Sequence, residues 1–140
     1  MNHIEQLYLQ IIHNTCTQTS SNITISQDVS ISLINLAQTQ SSLPFLLPYI
    51  KDSSLLANIK YQTKLMMLNY YQIEQFTRRI ADLFDANNIS YILLKGISLA
   101  AFYPVPEYRQ LGDVDIYIND KEMFNRANAL LLANGYTKDD

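Results

Sequence analysis

A chain of 140 residues has the length of one domain. Ten Lys and Arg against 13 Asp and Glu give a net charge of −3, which excludes a protein held to nucleic acid by bulk neutralisation of phosphates, and equally a polyacidic tail. With 48 % hydrophobic residues the chain is too apolar for disorder and long enough to bury a core.

Cys16 is the only cysteine, so neither an intrachain disulfide nor a Cys-based zinc cluster is available, and a silent intracellular thiol is the reading. The N-terminus has no basic region followed by an apolar run, so no signal peptide is expected. The longest apolar runs are four or five residues. A membrane span needs about 18. A cytoplasmic protein without a membrane partner is expected.

Residues 1–50 hold no Lys or Arg and only two acids, Glu5 and Asp28. Ile4, Leu7, Tyr8, Ile11 and Ile12 fall at helical spacing. Asn14 to Asn22 lacks periodicity and reads as a loop. A second helix, with Val29, Leu33, Leu36 and Ala37 on its apolar side, is predicted from Ser26 as N-cap to about Gln40. Pro44 and Pro48 bracket one or two helical turns over Phe45 to Leu47. The strongest predicted helix runs from about Leu56 to Asn87. At 1.5 Å per residue it is roughly 45 Å long. Met66, Tyr70, Ile73, Phe76, Ile80 and Leu83 form its stripe, with Glu74/Arg78 and Arg78/Asp82 as i,i+4 pairs on its wet side.

Beyond Asn88 the pattern changes. Tyr91 to Leu94 is a continuous apolar run that suits a strand covered on both faces. Gly96 ends it, and Ile97 to Tyr103 reads as a short helix. Pro104 and Pro106 force an extended loop. Leu111 to Ile118 alternates as a second strand, with Val114, Ile116 and Ile118 on one face and Asp113, Asp115 and Tyr117 on the other. Asn119 and Glu122 have the spacing of a capping box for a last helix, whose stripe is Met123, Phe124, Ala127, Leu130 and Leu131. Asn134-Gly135 closes it with a left-handed C-cap, and Tyr136-Thr137 reads as the start of a third strand. The division expected along the chain is a helical region over 1–88 and a partial α+β core over 89–140.

Asp113 and Asp115 lie two apart on a strand with an apolar back, so both carboxylates project from one face. Their oxygens can converge on a hard cation such as Mg²⁺. Gly96 follows a strand and opens a helix, where backbone amides can bind phosphate. Ser98 can add a hydroxyl and Lys95 a positive charge. Arg109, four residues before Asp113, either pairs with the acids or grips a substrate phosphate. His3 and His13 have no ligand-spaced partners, Tyr70-Tyr71 read as packing, and Arg78-Arg79 as a solvated face.

The segment from Leu93 to Ile118 resembles the signature of the uncharacterised nucleotidyltransferase family, within the DNA polymerase beta-like superfamily. Its marks are Lys95-Gly96 after a strand, Tyr103-Pro104, Arg109, and Gly112-Asp113-Val114-Asp115 on the next strand. The resemblance covers about Ser26 to the C-terminus, most firmly 90–136. It implies an α+β fold: a helix-rich N-terminal region and a minimal nucleotidyltransferase core with a short mixed sheet, incomplete at the C-terminus. It further implies that Gly96 and Ser98, with Lys95 and Arg109, bind a nucleoside triphosphate, and that Asp113 and Asp115 hold Mg²⁺ or Mn²⁺ and are catalytic. A hydroxyl of a small molecule, a sugar or a protein would then attack the α-phosphate in line, and pyrophosphate would leave. The slightly acidic net charge is compatible, because metal ions rather than a basic surface would hold the nucleotide.

Two departures from the superfamily pattern stand out. Ile97 follows Gly96 where Gly or Ser is common, and the Tyr103-Pro104 loop lengthens the gap to Asp113. The superfamily's third carboxylate, on a later strand, has no counterpart in 136–140, because Asp139 and Asp140 come too soon after Gly135. The chain is therefore expected to be an N-terminal portion, with an exposed sheet edge that favours self-association. A nucleotidyltransferase, a Mg-nucleotide-binding module without turnover, and a helical interaction protein are the three functional expectations.

Overall fold

The computed structural model describes residues 2–19 and 23–138. Two compact units form, one from Met1–Tyr71 with Leu99–Leu111 and one from Gln72–Ser98 with Gly112–Asp140. Helix accounts for 65 % of the described residues, which also hold a two-stranded sheet, so the fold is α+β and helix-rich.

In the first unit, α1 (His3–Thr17) opens with a capping box. Asn2 Oδ1 accepts from the Glu5 amide at 2.9 Å, and Glu5 Oε2 accepts from the Asn2 amide at 2.7 Å. The helix runs through Asn14 to Thr17, where a loop was expected. The Thr15 and Thr17 hydroxyls donate back to the carbonyls of Ile11 and His13, so they follow the helix instead of competing with it. Gln18, with φ 54°, ends it. The rest of the expected loop, residues 20–22, lies outside the described residues.

Helix α2 (Gln27–Thr39) starts after Ser26, as its pattern predicts. A 3₁₀ turn follows at Leu43–Leu46. Ile11, Leu33, Ala37, Leu43, Leu46, Ile50 and Ile59 form this unit's buried core. Phe45 packs beside Tyr103 and Tyr108, with ring centroids at 6.1 and 6.2 Å.

Helix α3 (Ser53–Ala86) contributes its first part to one unit and its last part to the other. It begins three residues before the expected Leu56, because Asp52 Oδ1 accepts from the amides of Ser54 and Leu55. It ends in a Schellman arrangement. Asn88 takes φ 52°, its amide donates to Asp85 O, and the Ile89 amide donates to Phe84 O. The stripe is shifted from the expected one. Phe76 is 41 % exposed, while Thr63, Thr77 and Phe84 are buried with Ile59 and Ile80.

The second unit closes on Ile80, Phe84, Ile89 and Ala127, with Tyr91, Ile116, Met123, Leu130, Leu131 and Tyr136 packed around them. Strand β1 (Ile92–Leu94) pairs antiparallel with β2 (Asp115–Tyr117) in the register Ile92↔Tyr117, Leu93↔Ile116, Leu94↔Asp115. Three expectations are corrected here. Strand β1 is not covered on both faces, since Ile92 is 59 % and Leu94 43 % exposed. Strand β2 is three residues rather than Leu111–Ile118. Leu111 is buried in the first unit, and its carbonyl accepts from Asn69 Nδ2 at 2.7 Å, so it cannot join the ladder. The predicted helix after Gly96 is α4 (Gly96–Ala100), and Pro106–Tyr108 forms a 3₁₀ turn within the proline loop.

Helix α5 (Lys121–Ala133) is capped by Asp120 rather than Asn119. Asp120 Oδ1 accepts from the Met123 amide at 2.7 Å, whereas Asn119 Oδ1 accepts from the Tyr117 hydroxyl. Phe124, assigned to the buried stripe, is half exposed. Gly135, at φ 87°, makes the expected left-handed cap. The Tyr136 amide then donates to Leu131 O, and its ring meets Phe76 edge-on at 5.9 Å. That packing takes the place of the expected third strand at Tyr136-Thr137, and Asp139 and Asp140 lie outside the described residues.

Thr63 and Thr77 are both buried on α3. The Thr77 hydroxyl donates to Ile73 O, whereas the Thr63 hydroxyl has no hydrogen-bond partner among the described residues. An unsatisfied buried hydroxyl is a net cost, so Thr63→Val, which keeps the shape, is expected to raise unfolding free energy by about 1 kcal/mol. Urea denaturation of the two chains measures it.

Candidate active site

The antiparallel register fixes the site. Because Leu94 stands opposite Asp115, the residue after β1 comes level with the residues just before β2. Those are Lys95 on one side and Asp113-Val114 on the other.

The chain turns at Lys95-Gly96 with φ 27° and 47° in succession. Left-handed backbone is ordinary for glycine and uncommon for lysine. A Cβ at Gly96 would sit 3.5 Å from the Asp113 carbonyl oxygen, an ordinary contact. The φ angle, not the space, therefore demands glycine. Gly96→Ala is expected to cost about 1 kcal/mol of stability for that reason, read as a shifted urea midpoint with an unchanged slope.

Ser98 closes the turn. Its amide and its hydroxyl both donate to Lys95 O, at 3.0 and 2.7 Å. The hydroxyl proton that the sequence offered to a phosphate is thus engaged with the turn itself. Helix α4 has only five residues.

Lys95 Nζ lies 3.0 Å from Asp115 Oδ2, with the lysine side chain 67 % and the aspartate 32 % exposed. Hydrogen bonding to Asp115, then the charges of Asp115 and Asp113, hold the Lys95 ammonium above the usual lysine range. A raised lysine pKa stabilises the fold fully below the unfolded value and loses that contribution as pH climbs through the folded one. The melting-temperature difference between the native chain and Lys95→Met should therefore stay flat from about pH 6 to 9. It should shrink only above about pH 10.4. A difference that changes between pH 6 and 9 would point to another group.

Five of the six sequence-assigned residues, Lys95, Gly96, Ser98, Asp113 and Asp115, belong to the second unit. Asp113 precedes the strand and is exposed, while Asp115 is its first residue. Arg109 belongs to the first unit. There its guanidinium donates to the Tyr103 hydroxyl at 3.1 Å and lies 5.4 Å from the Tyr103 ring centre. Tyr103 as the partner of Arg109, and Asp115 as the partner of Lys95, are the two relations that sequence reading missed. Either needs the loop geometry or the strand register, although Lys95 directly follows one predicted strand and Asp115 lies within the other. Among the described residues no group of three or more His, Cys, Asp or Glu could hold a metal ion.

The chain is thus a helix-rich α+β protein in which an aspartate pair at the entry to β2 stands beside the glycine turn that follows β1. Residues 32–140 match the uncharacterised nucleotidyltransferase family, and the chain belongs to it. The function that goes with it is of a general nucleotidyltransferase kind. No curated protein and no solved structure gives a match. Among the described residues no helix is long and apolar enough to cross a membrane.

Proposed function

We propose that this chain serves a metal-dependent transfer of a nucleoside monophosphate from a nucleoside triphosphate to a hydroxyl acceptor. The observation that carries this reading is the register that sets Lys95-Gly96 beside Asp113 and Asp115 in a member of this family.

Asp113 and Asp115 are the residues that would hold Mg²⁺ or Mn²⁺. Two carboxylates suit Mg²⁺, which usually keeps waters and takes its remaining ligands from substrate phosphates. The ion would supply charge neutralisation at the reacting phosphate. The Lys95 ammonium would hold the β- and γ-phosphates, carried on a turn that Gly96 and the two Ser98 hydrogen bonds to Lys95 O fix in place. In the transfer, the acceptor oxygen bonds to the α-phosphorus, the bond from that phosphorus to the bridging oxygen breaks, and pyrophosphate leaves. The hydroxyl proton passes to solvent.

A second reading is a Mg-nucleotide-binding module without turnover. It is favoured by the lack, among the described residues, of a third carboxylate grouped with Asp113 and Asp115.

Calorimetric titration of ATP, GTP, CTP and UTP, each with Mg²⁺, tests both readings. One nucleotide is expected to bind only with Mg²⁺, and the Asp113→Asn/Asp115→Asn chain is expected to lose at least about tenfold in affinity, two charged interactions being removed. Absence of binding to the folded native chain would overturn the nucleotide site. Release of pyrophosphate in the presence of an acceptor separates the enzyme from the binding module.

A further inference from the structure

We propose that Lys95 makes the aspartate pair selective for a divalent cation that arrives with a polyphosphate over the same cation alone. This rests on the reading of Asp113 and Asp115 as metal ligands.

The ammonium of Lys95 already serves as counter-ion to Asp115, at 3.0 Å. A free cation must displace it and then sit beside a positive charge. A cation carrying a polyphosphate brings the group that the ammonium prefers, because phosphate oxygens can take over its hydrogen bonds. Asp115 is released in the same event. The two ligands are therefore positively coupled, each binding more tightly in the presence of the other.

The turn is built for such an exchange. Its backbone is held at both ends, by the pairing of Leu94 with Asp115 and by the two Ser98 hydrogen bonds to Lys95 O. The side chain it carries is 67 % exposed, so its ammonium is open to a ligand from solvent. An exposed ion pair is weak, so the exchange is readily reversible.

The test uses the full chain and three variants: Lys95→Met, Lys95→Asn, which accepts a left-handed φ, and Lys95→Arg, which keeps the charge. Binding of Mn²⁺ alone is followed by the loss of its free electron-paramagnetic-resonance signal, and binding of Mn²⁺-tripolyphosphate by calorimetry. Melting curves confirm that each variant is folded. The neutral variants are expected to bind Mn²⁺ alone about two- to fivefold more tightly than the native chain, the range an exposed ion pair spans. They should bind Mn²⁺-tripolyphosphate at least about fivefold more weakly. Lys95→Arg should follow the native chain in both.

If the native chain binds Mn²⁺ and the neutral variants bind it no more tightly, or shift both affinities in one direction, the selectivity role of Lys95 is overturned and the metal site stands. If neither the native chain nor any variant binds Mn²⁺ in either form, the metal reading falls and takes this inference with it.

Discussion

The pairing of two three-residue strands decides which charged groups meet in the candidate site. One rung, Leu94 opposite Asp115, sets a basic glycine turn against an acidic approach strand. A slip of one residue would send Asp115 to the face where Ile116 packs on the core, and Ile116 to solvent, because strand side chains alternate. The register is thus held by the back of the sheet, where Ile116 packs on the core, while the front takes whatever groups that register aligns, Ile92 and Leu94 beside Tyr117 and Asp115.

So small a sheet cannot hold its own register, and the helices around it supply the restraint. Helices α3 and α5 both end in left-handed residues, Asn88 and Gly135, followed by residues that fold back onto the same core, Ile89 and Tyr136. Phe84 meets Tyr91 edge-on at 5.5 Å just before β1, and Met123 packs near the same place. The strand is therefore delivered at a fixed height relative to the helix it follows. The antiparallel partner arrives from the other side, between the glycine of Gly112 and the Asp120 cap of α5.

In the candidate site, Lys95 pairs with Asp115 from a backbone position that lysine rarely adopts. Such strained residues tend to gather at functional sites, where the surrounding structure over-determines them. Here the hydrogen bonds of Ser98 and the rung at Leu94 are that over-determination.

Much of this was legible in short-range signals. Ser26 before α2 and Gly135 after α5 depend on residues within one or two turns of each other and appear where their patterns place them, and the existence of α3 and of a strand at Asp115 was legible in the same way. The signature from Lys95-Gly96 to Asp113-Val114-Asp115 was readable for the same reason, since it is a matter of local spacing. Its family is the one the chain belongs to. Where elements stop was less legible. Asn14 to Thr17 stayed helical because hydroxyls turned back on the helix, and Leu111 left the strand because its carbonyl was claimed by Asn69, 42 residues earlier. Tyr136 became packing, not strand, because Phe76 was there to receive it. The same holds for the partners of the charged groups, Asp115 for Lys95 and Tyr103 for Arg109. Residue types and local spacing name the groups that can do chemistry. Which of them meet is set by long-range packing and strand register, because a side chain's partner is whatever the folded chain brings within about 3 Å of it.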